Sequence, residues 1–202
     1  MPRKNSLNVM KSSLKNMVIV LFLVTFVASL SVTIVYDVTK EPIAISKEKK
    51  IKDAIAAVVP EFDNNPSDTK VVQSDGKDEI VIYTAKKGDE VSGYAIETYT
   101  KKGFGGKISL MVGFRSDGTI YRVETLSHNE TPGLGNKIER SKSDFSVQFE
   151  GKNPEDFKLS VKKDGGDVDA ITASTISSRA FCDAIDRAYA VYKTISKNDS
   201  HE

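Results

Sequence analysis

The sequence predicts an α+β protein: a domain built on a largely antiparallel sheet with flanking helices, behind a single N-terminal transmembrane helix. Three observations predict it. Residues 17–36 (MVIVLFLVTFVASLSVTIVY) contain no charge, short β-branched and aromatic runs recur with period two between residues 79 and 161, and amphipathic stretches with helical spacing flank those runs. A chain of 202 residues has room for one ordinary domain with an appendage and not for two large ones.

At about 1.5 Å rise per residue, the uncharged run spans about 30 Å, the thickness of a hydrocarbon core. A buried core helix rarely runs so long without a polar face. A cleaved signal peptide is the nearer competitor, but its apolar region is usually about 7–15 residues long, and no small-x-small site follows this run. The run therefore reads as a retained anchor over residues 17–36, with residues 1–16 as an N-terminal tail and 37–202 as the domain beyond the membrane. Arg3, Lys4, Lys11 and Lys15 precede it with no acidic residue among them, and Asp37 is the first charge after it, which places the N-terminus in the cytoplasm. Lys47, Lys49, Lys50 and Lys52 on the far side reduce this asymmetry.

Ser46 to Val59 has Ile51, Ile55 and Val58 on one face, Ser46 as a candidate N-cap and Pro60 as terminator, which predicts a helix. Phe62 to Lys77 is polar and turn-rich and reads as a loop. The period then changes to two. Glu79–Ala85, Gly93–Thr100, Lys107–Phe114, Thr119–Leu126 and Phe157–Val161 read as strands, with Ser116-Asp117-Gly118 as a hairpin turn. Ser177 to Ser196 carries Phe181, Ile185, Ala188, Val191 or Tyr192, and Ile195 on one stripe, which predicts a closing helix.

Composition removes several kinds of function. With 29 basic and 28 acidic residues the formal net charge is +1, too small a field for a dedicated nucleic-acid or polyanion binder. The single cysteine rules out an intramolecular disulfide, a Cys-x-x-Cys metal site and c-type haem attachment. Two histidines, one of them the penultimate His201, cannot build a multi-histidine zinc site. Redox chemistry on this chain requires an organic cofactor.

Two segments stand out from the scaffold. Ser127 to Lys137 (SHNETPGLGNK) follows a predicted strand. Pro132 fixes one backbone angle, while Gly133 and Gly135 permit positive φ and leave the main chain open to a planar ligand. The plainer reading is a tight Pro-Gly surface turn. Asp169 to Ser178 (DAITASTISS) precedes the closing helix and places the hydroxyls of Thr172, Ser174, Thr175, Ser177 and Ser178 within seven residues. Unpaired N–H groups and the helix dipole stabilise a phosphate at such a place. Capping of the helix by Ser177 or Thr175 is the plainer alternative.

Together the two segments resemble the G subunit of the Rnf electron-transport complex, a family closely related to the C subunit of the sodium-pumping NADH:quinone oxidoreductase. The family pattern His-x-Glu-Thr-Pro-Gly-Leu-Gly is intact from His128 to Gly135. About forty residues later the pattern Asp-x-Ile-Thr-Gly-Ala-Thr-x-Ser-Ser appears as Asp169 to Ser178, with Ala173 in place of Gly and Ser174 in place of Ala. The anchor, Val59-Pro60 with Asp63-Asn64, Gly105-Gly106-Lys107-Ile108, Asp117-Gly118-Thr119-Ile120 and the closing helix follow in family order, so the resemblance covers nearly the whole chain. The short chain and the Ile-Thr-x-x-Thr-x-Ser-Ser form resemble the Rnf branch more than the quinone-reductase branch.

The resemblance implies an FMN-binding domain and a membrane flavoprotein that relays electrons in a ferredoxin- and NAD-coupled, ion-translocating complex. It implies FMN joined by its phosphate to Thr175, placed there from FAD by a separate flavin transferase. It further implies a cofactor site made by Glu130, Thr131, Gly133, Leu134, Gly135 and Lys137 on the first segment and by Thr172, Ala173, Ser174, Ile176, Ser177 and Ser178 on the second. Partners would be other integral and peripheral subunits in a bacterial inner membrane, with the flavin domain on the extracytoplasmic, periplasmic face. His128 and Cys182 read as structural residues. The competing hypothesis from another class is a membrane-anchored, non-redox binding or sensor domain.

Overall fold

The computed structural model describes residues 13–75 and 78–199, so Arg3, Lys4 and Lys11, on which the expected orientation rests, lie outside the described residues. The chain divides into two compact units, Met1–Glu48 and Lys49–Glu202. Helix α1 (Leu14–Val58) begins in the first, where Met17 to Tyr36 present only exposed side chains, a candidate membrane span by length and composition. The separate helix expected from Ser46, with Ser46 as its cap, is corrected: Ser46 lies inside α1, which continues through Pro42. Proline removes one backbone donor from the ladder. The run of Lys, Glu and Ala after it favours continued helix.

The second unit is an antiparallel sheet with strands in sequence order: β1 (Val71–Asp75), β2 (Asp78–Lys87), β3 (Glu90–Gly103), β4 (Gly106–Arg115) and β5 (Ile120–Ser127). Strands β2 to β4 each contain an expected one, and β5 overlaps the one expected at Thr119–Leu126, starting one residue later. β1 falls where a loop was expected. It is an edge strand whose Val71 and Val72 are both exposed, so no burial alternation announced it. The strand expected at Phe157–Val161 is absent: only Val161 forms a bridge, a parallel one to Val168, after the chain loops round through Gly165 at φ +76°. Phe157 and Leu159 instead pack on the core from irregular backbone.

Both faces of the sheet are covered. The end of α1 lays Ala54, Ile55 and Val58 against Val81, Tyr83, Ala95 and Met111. On the other face, helix α2 (Thr175–Asp199) buries Phe181, Ile185, Ala188 and Tyr192 against Ile82, Ile96, Leu110 and Phe114. Phe181 also meets Phe145 and Phe149 at ring separations of 5.3 and 5.4 Å. Two sets of polar contacts fix α2 along its length. Thr98 Oγ1 donates to the Ala184 carbonyl at 3.1 Å and Thr100 Oγ1 to Asp183 at 2.7 Å. Further along, the Tyr192 hydroxyl donates to the Ser116 carbonyl at 2.8 Å, at the expected turn between β4 and β5.

The α1 side depends on one missing side chain. A Cβ on Gly113 would lie 1.5 Å from the Val58 carbonyl oxygen, a backbone atom that cannot rotate away. Gly113→Ala is therefore expected to lower stability by about 3 kcal/mol, as overpacking does at its severe end. The check is the shift of the urea midpoint of the full-length protein in detergent, with the m-value unchanged.

Candidate functional site

The loop after β5 is held from both sides. Its first residue, His128, accepts the Glu130 backbone N–H on Nδ1 at 3.0 Å, which leaves the proton on Nε2 to donate to Glu139 at 2.6 Å. This bond holds the Glu139 carboxyl below its usual pKa. The stability it contributes is complete above the ordinary carboxylate range and is lost as pH falls through that lowered value. Beyond Pro132 the chain turns through Gly133 at φ +78°, and the Asn136 side chain accepts the Gly133 N–H at 2.8 Å. Gly135 serves a different purpose from the one its sequence suggested: its φ is not positive, but a Cβ there would lie 2.5 Å from Glu130 Oε2.

The second segment enters α2 two residues earlier than its periodicity indicated. Gln148 grips the Asp169 backbone, donating to its carbonyl at 3.2 Å and accepting its N–H at 2.8 Å. Ala173 then adopts φ +61°, the left-handed region, at the position where the family pattern has glycine. The helix begins at Thr175, and its first internal bond runs from the Ser178 N–H to the Ser174 carbonyl at 3.0 Å.

The hydroxyls sort by what they touch. Ser178 Oγ is fully buried, accepting the Ile171 N–H at 2.9 Å and donating to the Ser174 carbonyl at 3.0 Å. Ser177 Oγ donates to Glu130 Oε2 at 2.5 Å. Neither Ser177 nor Thr175 caps the helix as expected, because both lie inside it. Thr172 is exposed, and the half-buried Thr175 hydroxyl makes no hydrogen bond among the described residues.

Between the two segments lies a cavity of about 360 Å³, within the range of small-molecule sites. Glu130, Thr131, Leu134 and Gly135 form one wall, Ala173, Ser174, Thr175, Ile176 and Ser177 the other. Gly133, Lys137, Thr172 and Ser178, also expected at the site, do not line it. The half-buried Lys137 uses its carbonyl to accept from Ser143 Oγ at 2.6 Å.

Sequence reasoning missed Phe104, at the tip of the β3–β4 hairpin, which completes the lining and is 70% exposed. Its signal was an aromatic residue set inside the Gly103–Gly106 turn, which gives that side chain no core to join. Leu134 and Ile176 are exposed as well, so three large apolar side chains border the cavity. Glu130 is the only ionisable side chain among the described lining residues.

Cys182 packs in the main core, where burial pushes its thiol up to about 12. It takes no part in the site.

Residues 103–190 match the family model described as an FMN-binding domain. The chain is 36% identical to the G subunit of the ion-translocating oxidoreductase complex of Aliivibrio fischeri over 92% of this chain and 93% of that one. It is 33% identical to the protein of the same name from Cereibacter sphaeroides over 86% and 82%, and 41% identical to that of Erwinia tasmaniensis over 56% of each. The residues present fit an FMN group. Phe104, Leu134 and Ile176 offer apolar surface to a flat ring, and the N–H groups of the first turn of α2 have no intrahelical acceptor and favour a phosphate.

The left-handed Ala173 supplies a test of local strain. Glycine there relieves about 1 kcal/mol of steric cost but returns a similar amount of freedom to the unfolded chain. Ala173→Gly is expected to leave stability within about 1 kcal/mol, whereas Ala173→Val costs about 2 kcal/mol because a β-branched side chain resists this region. Urea denaturation of the two variants beside the wild type gives the comparison.

Proposed function

Because the chain belongs to the family of G subunits of ion-translocating oxidoreductase complexes, we propose that it is the membrane-anchored flavoprotein of an Rnf-type complex and relays electrons through an FMN esterified to Thr175. The observation that carries this reading is the Thr175 hydroxyl: it lines the cavity at the start of α2 and makes no hydrogen bond among the described residues. The other hydroxyls are poorer acceptors. Ser177 and Ser178 are engaged internally, Ser174 is buried, and Thr172 is outside the lining.

FMN supplies the capacity to exchange one or two electrons, and the protein supplies position and electrostatics. The first turn of α2 would hold the phosphodiester through backbone N–H groups and the helix dipole, since there is no cation among the described lining residues. One negative charge at a helix N-terminus suits that arrangement. Leu134 and Ile176 from the two walls and Phe104 from the hairpin would offer the flat ring an apolar border. A covalent link keeps the cofactor on a domain from which free FMN would diffuse away. The attachment is made by a flavin transferase that uses FAD as donor.

The anchor at residues 17–36 holds the domain of residues 37–202 at the extracytoplasmic face of a bacterial inner membrane, with residues 1–16 cytoplasmic. This orientation rests on the basic residues before the span. Integral and peripheral subunits of the complex are its partners, and fixing the domain beside them raises its effective concentration at their redox centres.

Thr175→Ala is expected to abolish the covalent flavin when the chain is coexpressed with a flavin transferase and exported, at a stability cost of about 1 kcal/mol or less. Intact mass and in-gel ultraviolet fluorescence after denaturation read the result. An adduct retained on the variant would move the attachment elsewhere. Topology has its own test: protease added outside intact spheroplasts should digest the domain, and digestion confined to inside-out vesicles would reverse the orientation.

A further inference from the structure

Resting on the flavin reading above, we infer that Glu130 is a positioning residue: its carboxylate ties the β3–β4 hairpin to the first turn of α2 and so sets the opening of the cavity between Phe104 and Thr175. Glu130 is 5% exposed. One oxygen accepts the Gly105 N–H at 2.9 Å and the other accepts Ser177 Oγ–H at 2.5 Å, so a single side chain joins two elements far apart in sequence.

The surroundings leave it little freedom. A Cβ on Gly103 would lie 2.6 Å from Oε1, and one on Gly135 would lie 2.5 Å from Oε2 and 2.8 Å from Ser177 Oγ. A Cβ on Gly105 would strike the Asn129 carbonyl at 1.9 Å. Gly103 and Gly135 thus make room for the carboxylate itself, and Gly105 lets the hairpin close on the backbone just before it. The Glu130 backbone is fixed as well, through its N–H to His128.

Burying a carboxylate against neutral donors is costly unless its acceptors are well used. The two bonds span the sides of the site, because Gly105 follows Phe104 on the hairpin and Ser177 lies two residues beyond Thr175. Removing the clamp frees the hairpin from the helix terminus and lets the two sides of the cavity separate. Glutamine preserves it: its amide oxygen accepts from Gly105, and its amide nitrogen donates to Ser177, whose hydroxyl then accepts instead of donating.

The test uses full-length protein, with Glu130→Ala, Glu130→Gln, Ser177→Ala and Thr175→Ala compared with wild type. Hydrogen exchange at the Gly105 amide is measured without flavin transferase, so this readout does not depend on the cofactor. Flavin attachment with transferase and FAD is followed separately by fluorescence. Glu130→Ala is expected to speed Gly105 exchange at least about tenfold and to slow attachment by a similar factor, with Ser177→Ala changing both in the same direction. Glu130→Gln should restore both to within about threefold of wild type. Thr175→Ala should abolish attachment with Gly105 exchange unchanged.

Unchanged Gly105 exchange in both Glu130→Ala and Ser177→Ala would overturn the clamp. Faster exchange with attachment at the wild-type rate would also overturn it, since the contact would then be structural alone. Loss of attachment in Glu130→Gln with Gly105 still protected would make Glu130 a direct contact of the flavin and overturn the positioning role. If Glu130→Ala does not fold, Ser177→Ala decides the same question. A wild-type chain without flavin would sink the flavin reading, and unequal Gly105 exchange would still show the clamp.

Discussion

The placement of the first turn of α2 depends on a row of polar side chains along β3. Thr98, Thr100 and Lys102 alternate along the strand and share one face, and they meet consecutive helix residues: Thr98 the Ala184 carbonyl, Thr100 and Lys102 the two oxygens of Asp183. Apolar packing alone is non-directional. A helix held only by Phe181, Ile185 and Ala188 could slide along the sheet with small loss. A buried hydroxyl stripped of its acceptor costs about 1–3 kcal/mol, so these threonines set the register. Everything at the cavity inherits it, because Thr175 lies about two turns before Asp183 on the same rigid helix.

Features that weaken a fold gather at the end of the sheet where the cavity lies. There a non-glycine residue takes a left-handed conformation, a carboxylate is buried, and three large apolar side chains face outward. The rest of the domain follows ordinary rules, with strands buried between two covering layers, an amphipathic helix and aromatic side chains packed against one another in the core. Local rules broken together at one place, inside a structure that otherwise obeys them, mark a site kept for something other than stability.

What could be read in the sequence follows from the physics of each element. Strands β2 to β5 were legible from β-branched and aromatic runs bounded by turn residues, although β3 and β4 are covered on both faces and buried almost throughout, and α2 from the helical period of its one apolar stripe. β1 was not, since it is an edge strand with both valines exposed, set in a polar and turn-rich stretch. At Phe157–Val161 the apolar residues imitated a strand, but they contribute to the core from irregular backbone, where burial needs no ladder. The helix expected at Ser46 merged into α1 because Ser46, a residue type that caps helices, lies inside a helix that runs on from the apolar segment. At the site the two segments could be found from their glycines and hydroxyls. The division of labour among the hydroxyls could not, since it is decided by tertiary partners such as Glu130 for Ser177. Phe104 was hidden for a related reason: pattern reading searches for aromatics inside a core, and this one faces out.

The burial of Cys182 has a practical side. Burial pushes its thiol up to about 12, so at pH 7 it stays in the unreactive thiol form. The only cysteine in the chain is thus almost invisible to maleimides and other alkylating labels while the domain is folded. Any cysteine introduced on the surface would be the only one such a label meets. The natural protein is therefore already a silent background for accessibility mapping, without a preparatory substitution in its core.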